Sequence, residues 1–129
     1  MMVPNTLIEA LGIEVVTLEE GYVKATMPVD GRTRQPLGYL HGGASVALAE
    51  TVASVGAFHL IDQEKEATFG LEINANHVRS KRDGIVTAEG HVLHRGRTTQ
   101  IWEIKIKDEN DKLICVSRCT MAVVPRRAE

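Results

Sequence analysis

Two periodicities divide the chain. Between Tyr22 and Val29 the apolar residues Val23, Ala25, Met27 and Val29 alternate with Tyr22, Lys24 and Thr26, the period-two pattern of a half-buried strand. Ile13 to Thr17 is rich in β-branched residues, and a Glu19-Glu20-Gly21 turn joins it to that strand as a hairpin. Four further strand-like segments follow: Ala67 to Arg79, Ile85 to His94, Thr98 to Lys107 and Leu113 to Val124. Lys81-Arg82-Asp83-Gly84 and Asp108-Glu109-Asn110-Asp111 have the composition of turns between neighbouring strands. The tail from Pro125 to Glu129 is expected to fray.

The stretch from Gly38 to Ile61 has helical residue choice and is apolar on every side, which predicts a long helix buried on all sides. Glu50 is the acid in its middle, and a carboxylate there costs stability unless it has a partner or a task. At 3.6 residues per turn Glu50 shares its face with Gly43, Ala47, Ser54 and Ala57, all small, so open space is expected beside it. Leu48, Val52, Val55 and Phe58 are then expected to pack on the sheet. Two glycines follow His41 at the helix start, where backbone N–H groups lack intrahelical acceptors and suit a developing negative charge. Asn5 to Gly12 reads as a short helix stopped by its glycine, and the polar loop from Asp30 to Gly38 delivers Gln35 and His41 to the long helix.

Two strands, a long helix and four antiparallel strands make an α+β domain, one sheet curled around one helix, over residues 1–129. A composition of 43% hydrophobic and 25% charged residues fits one globular domain of this length. The net charge of −2 gives no basic field for nucleic acid or an acidic membrane. Glu50, His59 and many small residues make the long helix a poor membrane span, and a cytoplasmic location is expected. Cys115 and Cys119 lie on one strand face about 13 Å apart, at roughly 3.3 Å per residue, too far for a mutual disulfide or a shared zinc ion. They read as core thiols of a reduced compartment. No metal site is expected. Exposed sheet edges predict pairing between subunits.

The segments from Gln35 to Glu50 and from Gly70 to Ser80, with the spacing of Gln35, His41-Gly42-Gly43 and Glu50, resemble the hotdog-fold acyl-CoA thioesterases, in particular the branch that hydrolyses aryl thioesters. The resemblance covers nearly the whole chain. It implies that Glu50 is the catalytic carboxylate, as nucleophile or as base toward water, and that the Gly42 N–H holds the thioester oxygen. Gln35 matches the side-chain amide beside that carbonyl, His41 the neighbouring imidazole, and Ser54 a hydroxyl that orients the carboxylate or water. A dimer, or a tetramer built from two dimers, divides these groups between subunits in this family.

The resemblance also implies an acyl-CoA substrate, with CoA as part of the substrate and no separate cofactor. His77-Val78-Arg79-Ser80 and His94-Arg95-Gly96-Arg97-Thr98-Thr99 resemble the CoA-binding segments, as do Gly70 and Val123 in position. Leu40, Phe58 and Met121 are expected to wall an acyl pocket beside the small residues of the helix. Two other classes share parts of this pattern: a hotdog 3-hydroxyacyl thioester dehydratase, whose His-Phe-Pro-Gly loop the chain lacks, and a non-enzymatic acyl-CoA binding module, which has no need of Glu50.

Overall fold

The structure, a computed structural model, describes residues 3–127. Helix α1 (Leu7–Leu11) is capped by Thr6 and ends at Gly12, whose φ of +71° is the left-handed value that favours glycine. Strands β1 (Glu14–Glu19) and β2 (Tyr22–Pro28) form the expected hairpin, with Leu18 opposite Val23. Helix α2 (Gly42–His59) follows, and then β3 (Glu66–His77), β4 (Ile85–Arg95), β5 (Thr99–Lys107) and β6 (Leu113–Pro125). All six strands join one antiparallel sheet in the order β1-β2-β4-β5-β6-β3. The tail is held further than expected: Pro125 belongs to β6, and Arg126 donates its N–H to the Lys65 carbonyl at 2.8 Å. Ala128 and Glu129, the end of that tail, lie outside the described residues.

Strand order departs from a run of neighbouring hairpins. β4 pairs with β2, Ala88 opposite Ala25, whereas β3 goes to the far edge and pairs with β6, Gly70 opposite Met121 and His77 opposite Cys115. Lys81 to Gly84 is therefore part of a crossover, while Asp108 to Asp111 is a true hairpin turn between β5 and β6. Turn residues reverse a chain without choosing its next partner. Placing β3 at the β6 edge brings Ile73 and Ala75 onto the core that α2 fills.

The long helix is buried along one side only. Ala44, Ser45, Leu48, Ala49, Val52, Ala53, Gly56 and Ala57 face the sheet, and Val46, Ala47, Glu50, Thr51, Ser54 and Val55 are half-buried along an open stripe. All-round burial is thus corrected, because the curled sheet covers a single flank. Ala57 is 0% exposed, and the buried Gln100 donates to its carbonyl at 3.3 Å. Phe58 turns outward in place of Ala57, while Val55 packs against the core and also borders the open stripe. Met121 is 1% exposed and belongs to the core, so it walls no pocket.

Two glycines let α2 lie close to the sheet. A Cβ on Gly56 would stand 2.3 Å from Cη2 of the fully buried Trp102, and one on Gly90 would stand 2.4 Å from Cγ1 of Val52. Trp102 Nε1–H is satisfied by Gln100 Oε1 at 2.9 Å, so the bulk of the indole enters the core with its polar atom paired. Cys115 and Cys119 are free and buried, as expected of core thiols. Among the described residues no helix is long and apolar enough to cross a membrane.

Candidate active site

The start of α2 leaves one donor free. His41 is its N-cap, with φ −70° and ψ 130°, and its Nδ1 accepts the Gly43 N–H at 2.8 Å. The N–H groups of Ala44 and Ser45 go to the His41 carbonyl at 3.0 and 3.2 Å. Among the described residues the Gly42 N–H finds no acceptor. Gly42 lines a cleft of about 450 Å³ together with Gln35, Tyr39, Leu40, His77, Arg79 and Ser80.

Gln35 is fixed by its own loop. Its N–H donates to the Tyr39 carbonyl at 2.8 Å, and its Oε1 accepts from the N–H groups of Leu37 and Tyr39. With the amide oxygen so engaged, Nε2 is the end left to donate into the cleft. Gly38 has φ +92°, the turn that folds the loop back. Tyr39 is held from behind by Arg82, whose guanidinium carbon lies 4.7 Å from the ring centroid.

Glu50 and Ser54 sit elsewhere, in a groove of about 460 Å³ along the open stripe, with Leu7 and Ile8 of α1 on one bank. The carboxylate rests against β3. A Cβ on Gly70 would stand 2.6 Å from Glu50 Oε2, so only glycine admits the acid there. A bulge between Gly70 and Glu72 interrupts the ladder at this point. Cys119 senses the same region: burial first, then the charges of Glu50 and Glu72, push its thiol up to about 11.

One chain does not assemble the whole set. Gly42 and Glu50 are separated by roughly 12 Å of helix, at about 1.5 Å per residue. A nucleophile and an oxyanion donor must each lie about 3 Å from one carbonyl. Within one chain the Gly42 cleft and the Glu50 groove are therefore separate recesses.

The CoA-binding candidates are divided as well. His77, Val78, Arg79 and Ser80 line the cleft beside Gly42, whereas His94 to Thr99 form the β4–β5 turn at the opposite end of the sheet, near the end of α2. There Arg95 donates to the Leu60 carbonyl, Gly96 N–H to Thr99 O at 2.8 Å, and Arg97 and Thr98 stay exposed. Val123 donates its N–H to Thr98 O at 2.8 Å, with its side chain buried. Gly70 adjoins Glu50. Sequence reasoning missed Tyr39, Ser45 and Ile114 in the cleft and Leu7, Ile8 and Thr51 in the groove, because only tertiary packing brings them there.

The family model for the thioesterase superfamily matches residues 37–115. The chain belongs to the thioesterase superfamily. Among its relatives, a 1,4-dihydroxy-2-naphthoyl-CoA hydrolase of Listeria monocytogenes is 53% identical over 92% of this chain and 96% of its own. An Escherichia coli hydrolase of the same name is 46% identical over 93% of this chain and 88% of its own. In solved structures, a thioesterase from Haemophilus influenzae superposes with a TM-score of 0.90 at 48% identity, covering 95% of this chain and 85% of that one. Thioesterase membership and these neighbours make the α+β architecture a hotdog fold and the chain a thioester hydrolase. Among the described residues no cluster of His, Cys, Asp or Glu is arranged to hold a metal ion.

Proposed function

We propose that this thioesterase hydrolyses acyl-CoA thioesters, aromatic ones in preference, at a site shared by two copies of the chain. The observation that carries the proposal is the separation of a free oxyanion donor at Gly42 from the carboxylate of Glu50, each in its own recess. Gly42 N–H and the Gln35 amide of one subunit hold the thioester oxygen as it gains charge, while Glu50 of the partner subunit attacks the carbonyl or draws a proton from water. The acyl carbon gains an oxygen, the C–S bond breaks, and the products are the free acid and CoA thiol. His41, whose Nδ1 serves the helix cap, shapes the approach and takes no proton in this scheme.

β3 supports the pairing of chains. It is a 12-residue edge strand without Lys or Pro, and its Phe69 and Leu71 are each 61% exposed. Natural edges of this kind are protected, and pairing is the simplest protection. A dimer also covers the apolar stripe of α2. Arg79 and Ser80, with Arg97 and Thr98 from another subunit, are the donors available to the CoA phosphates. Nothing in this scheme needs a membrane or a nucleic acid, and it suits a cytoplasmic enzyme with a water-soluble substrate.

The acyl preference rests on the groove. Through Ser54 and Val55 it continues into a second recess of about 540 Å³, walled by Leu18, Phe58 and Thr68. A flat ring fits such a slot with few rotors to freeze, whereas a long alkyl chain loses about 0.5 to 1.5 kcal/mol for each flexible group immobilised. The relatives named as 1,4-dihydroxy-2-naphthoyl-CoA hydrolases support an aryl substrate. The test is thiol release across benzoyl-, naphthoyl-, acetyl- and palmitoyl-CoA with the native protein and Glu50→Gln. Aryl esters should give the highest kcat/KM, and the variant should lose at least about a hundredfold in kcat. Equal turnover of palmitoyl-CoA would remove the aryl preference, and an active Glu50→Gln would remove the mechanism.

A further inference from the structure

Gly70 sets where the Glu50 carboxylate stops. A Cβ built on Gly70 would lie 2.6 Å from Glu50 Oε2 and 3.6 Å from its Cδ, and apart from its chain neighbours it would meet nothing else within 4 Å. The backbone itself does not call for glycine. Gly70 is not among the positive-φ residues, and it pairs with Met121 as the last regular position before the β3 bulge. A glycine inside a strand weakens it unless something needs the close approach. Here that something is the acid alone. Among the described residues no hydrogen bond holds either carboxylate oxygen, and the nearby Thr51 hydroxyl donates instead to the Ala47 carbonyl at 2.7 Å. Contact with the strand is thus what fixes the acid on that side.

We infer that Gly70 is a positioning residue for the thioester reaction, a slot in β3 that seats the Glu50 carboxylate at its working depth, and is not a contact to CoA. This rests on the thioester site proposed above, through the role of Glu50. An ordinary contact begins near 3.4 Å, so a methyl at position 70 drives the oxygen about 0.8 Å away from the strand and into the groove. The carboxylate is the far end of a flexible side chain and makes that move at little cost in stability. The reaction is less tolerant, because a displacement of about 1 Å at a reacting group can cost about a hundredfold in rate. Stability and rate therefore part company: alanine removes the unfolded-state freedom of glycine and holds or raises the urea midpoint, while kcat falls.

The test is Gly70→Ala, taken through a crystal structure, urea unfolding, and thiol release from benzoyl-CoA and from the benzoyl ester of N-acetylcysteamine, which lacks the nucleotide. The expected result is a carboxylate displaced by about 0.8 Å from an unmoved strand and a midpoint no lower than native. On both esters kcat should fall by about tenfold to a hundredfold, with KM within about twofold of native. Gly70→Ala in a Glu50→Ala background is the second variant: with no carboxylate to meet, the methyl should leave the midpoint at or above that of Glu50→Ala alone. Native kcat in Gly70→Ala would overturn the inference, and so would a raised KM on the CoA ester alone, which marks a nucleotide contact. A lowered midpoint in both backgrounds would overturn it too, as the sign of a glycine kept for the fold. Failure of the underlying reading shows separately, as native protein that releases no thiol or a Glu50→Gln variant that keeps its activity.

Discussion

Gly42→Pro removes the backbone hydrogen that the oxyanion site uses while keeping the helix that carries it. Gly42 is the first residue of α2, where a missing N–H breaks no intrahelical bond and the fixed φ of proline suits the helix. His41 already has the extended φ of −70° and ψ of 130° that a following proline demands. The added Cβ stands 3.1 Å from His77 Nε2, on an exposed ring that can yield by a few tenths of an ångström. The stability cost is therefore small. The catalytic cost is that of one lost oxyanion donor, about 10²–10³ in kcat, or roughly 2.7 to 4 kcal/mol. Gly42→Ala is the control, since it adds the same Cβ and keeps the N–H. Thiol release gives kcat for both variants, and urea unfolding gives their stability. A proline variant with native stability and kcat within about threefold of native would refute the role of the Gly42 N–H.

Other expectations follow from packing and charge. Gly56→Ala drives a methyl to within 2.3 Å of Trp102 and should destabilise by about 1 to 3 kcal/mol or more in urea unfolding; an unchanged midpoint would mean the helix slides without cost. Glu109 is held at about 2, against its usual 4.5, chiefly by its hydrogen bond to Lys81, and Lys81 in turn receives the Leu40 N–H on its carbonyl. Because the folded state favours the ionised acid, this contribution is complete above about pH 4.5 and is lost as pH falls toward 2. Lys81→Ala should thus separate from native protein in urea midpoint near pH 5 and converge with it near pH 2; a constant gap across that window would contradict the pairing.

The sequence made the helix and six strands legible because their periodicities are local. The His41-Gly42-Gly43 start and the lone acid at Glu50 were legible for the same reason. Partners are not local. Alternation in β3 shows which residues share a face, and nothing in it distinguishes β6 from β4 as neighbour. A stripe of small residues on α2 leaves its rotation open by about one position, which is why Ala57 turns into the core and Phe58 out of it. His41 stands beside the glycines in sequence and serves as a cap, while His77 reaches Gly42 only through the sheet. Gly56 and Gly90 look like weak points of a helix and a strand until Trp102 and Val52 occupy the space they leave.

The central claim, that the acid and the oxyanion donor come from different chains, is tested most directly by mixing two dead variants. Glu50→Gln and Gly42→Pro, unfolded together and refolded, should form mixed dimers in which one of the two sites has an intact Glu50 facing an intact Gly42. With half of the dimers mixed and one working site in each, about a quarter of native thiol-release activity should return. Activity no greater than the sum of the two variants measured alone would place both groups in a single chain and contradict the account.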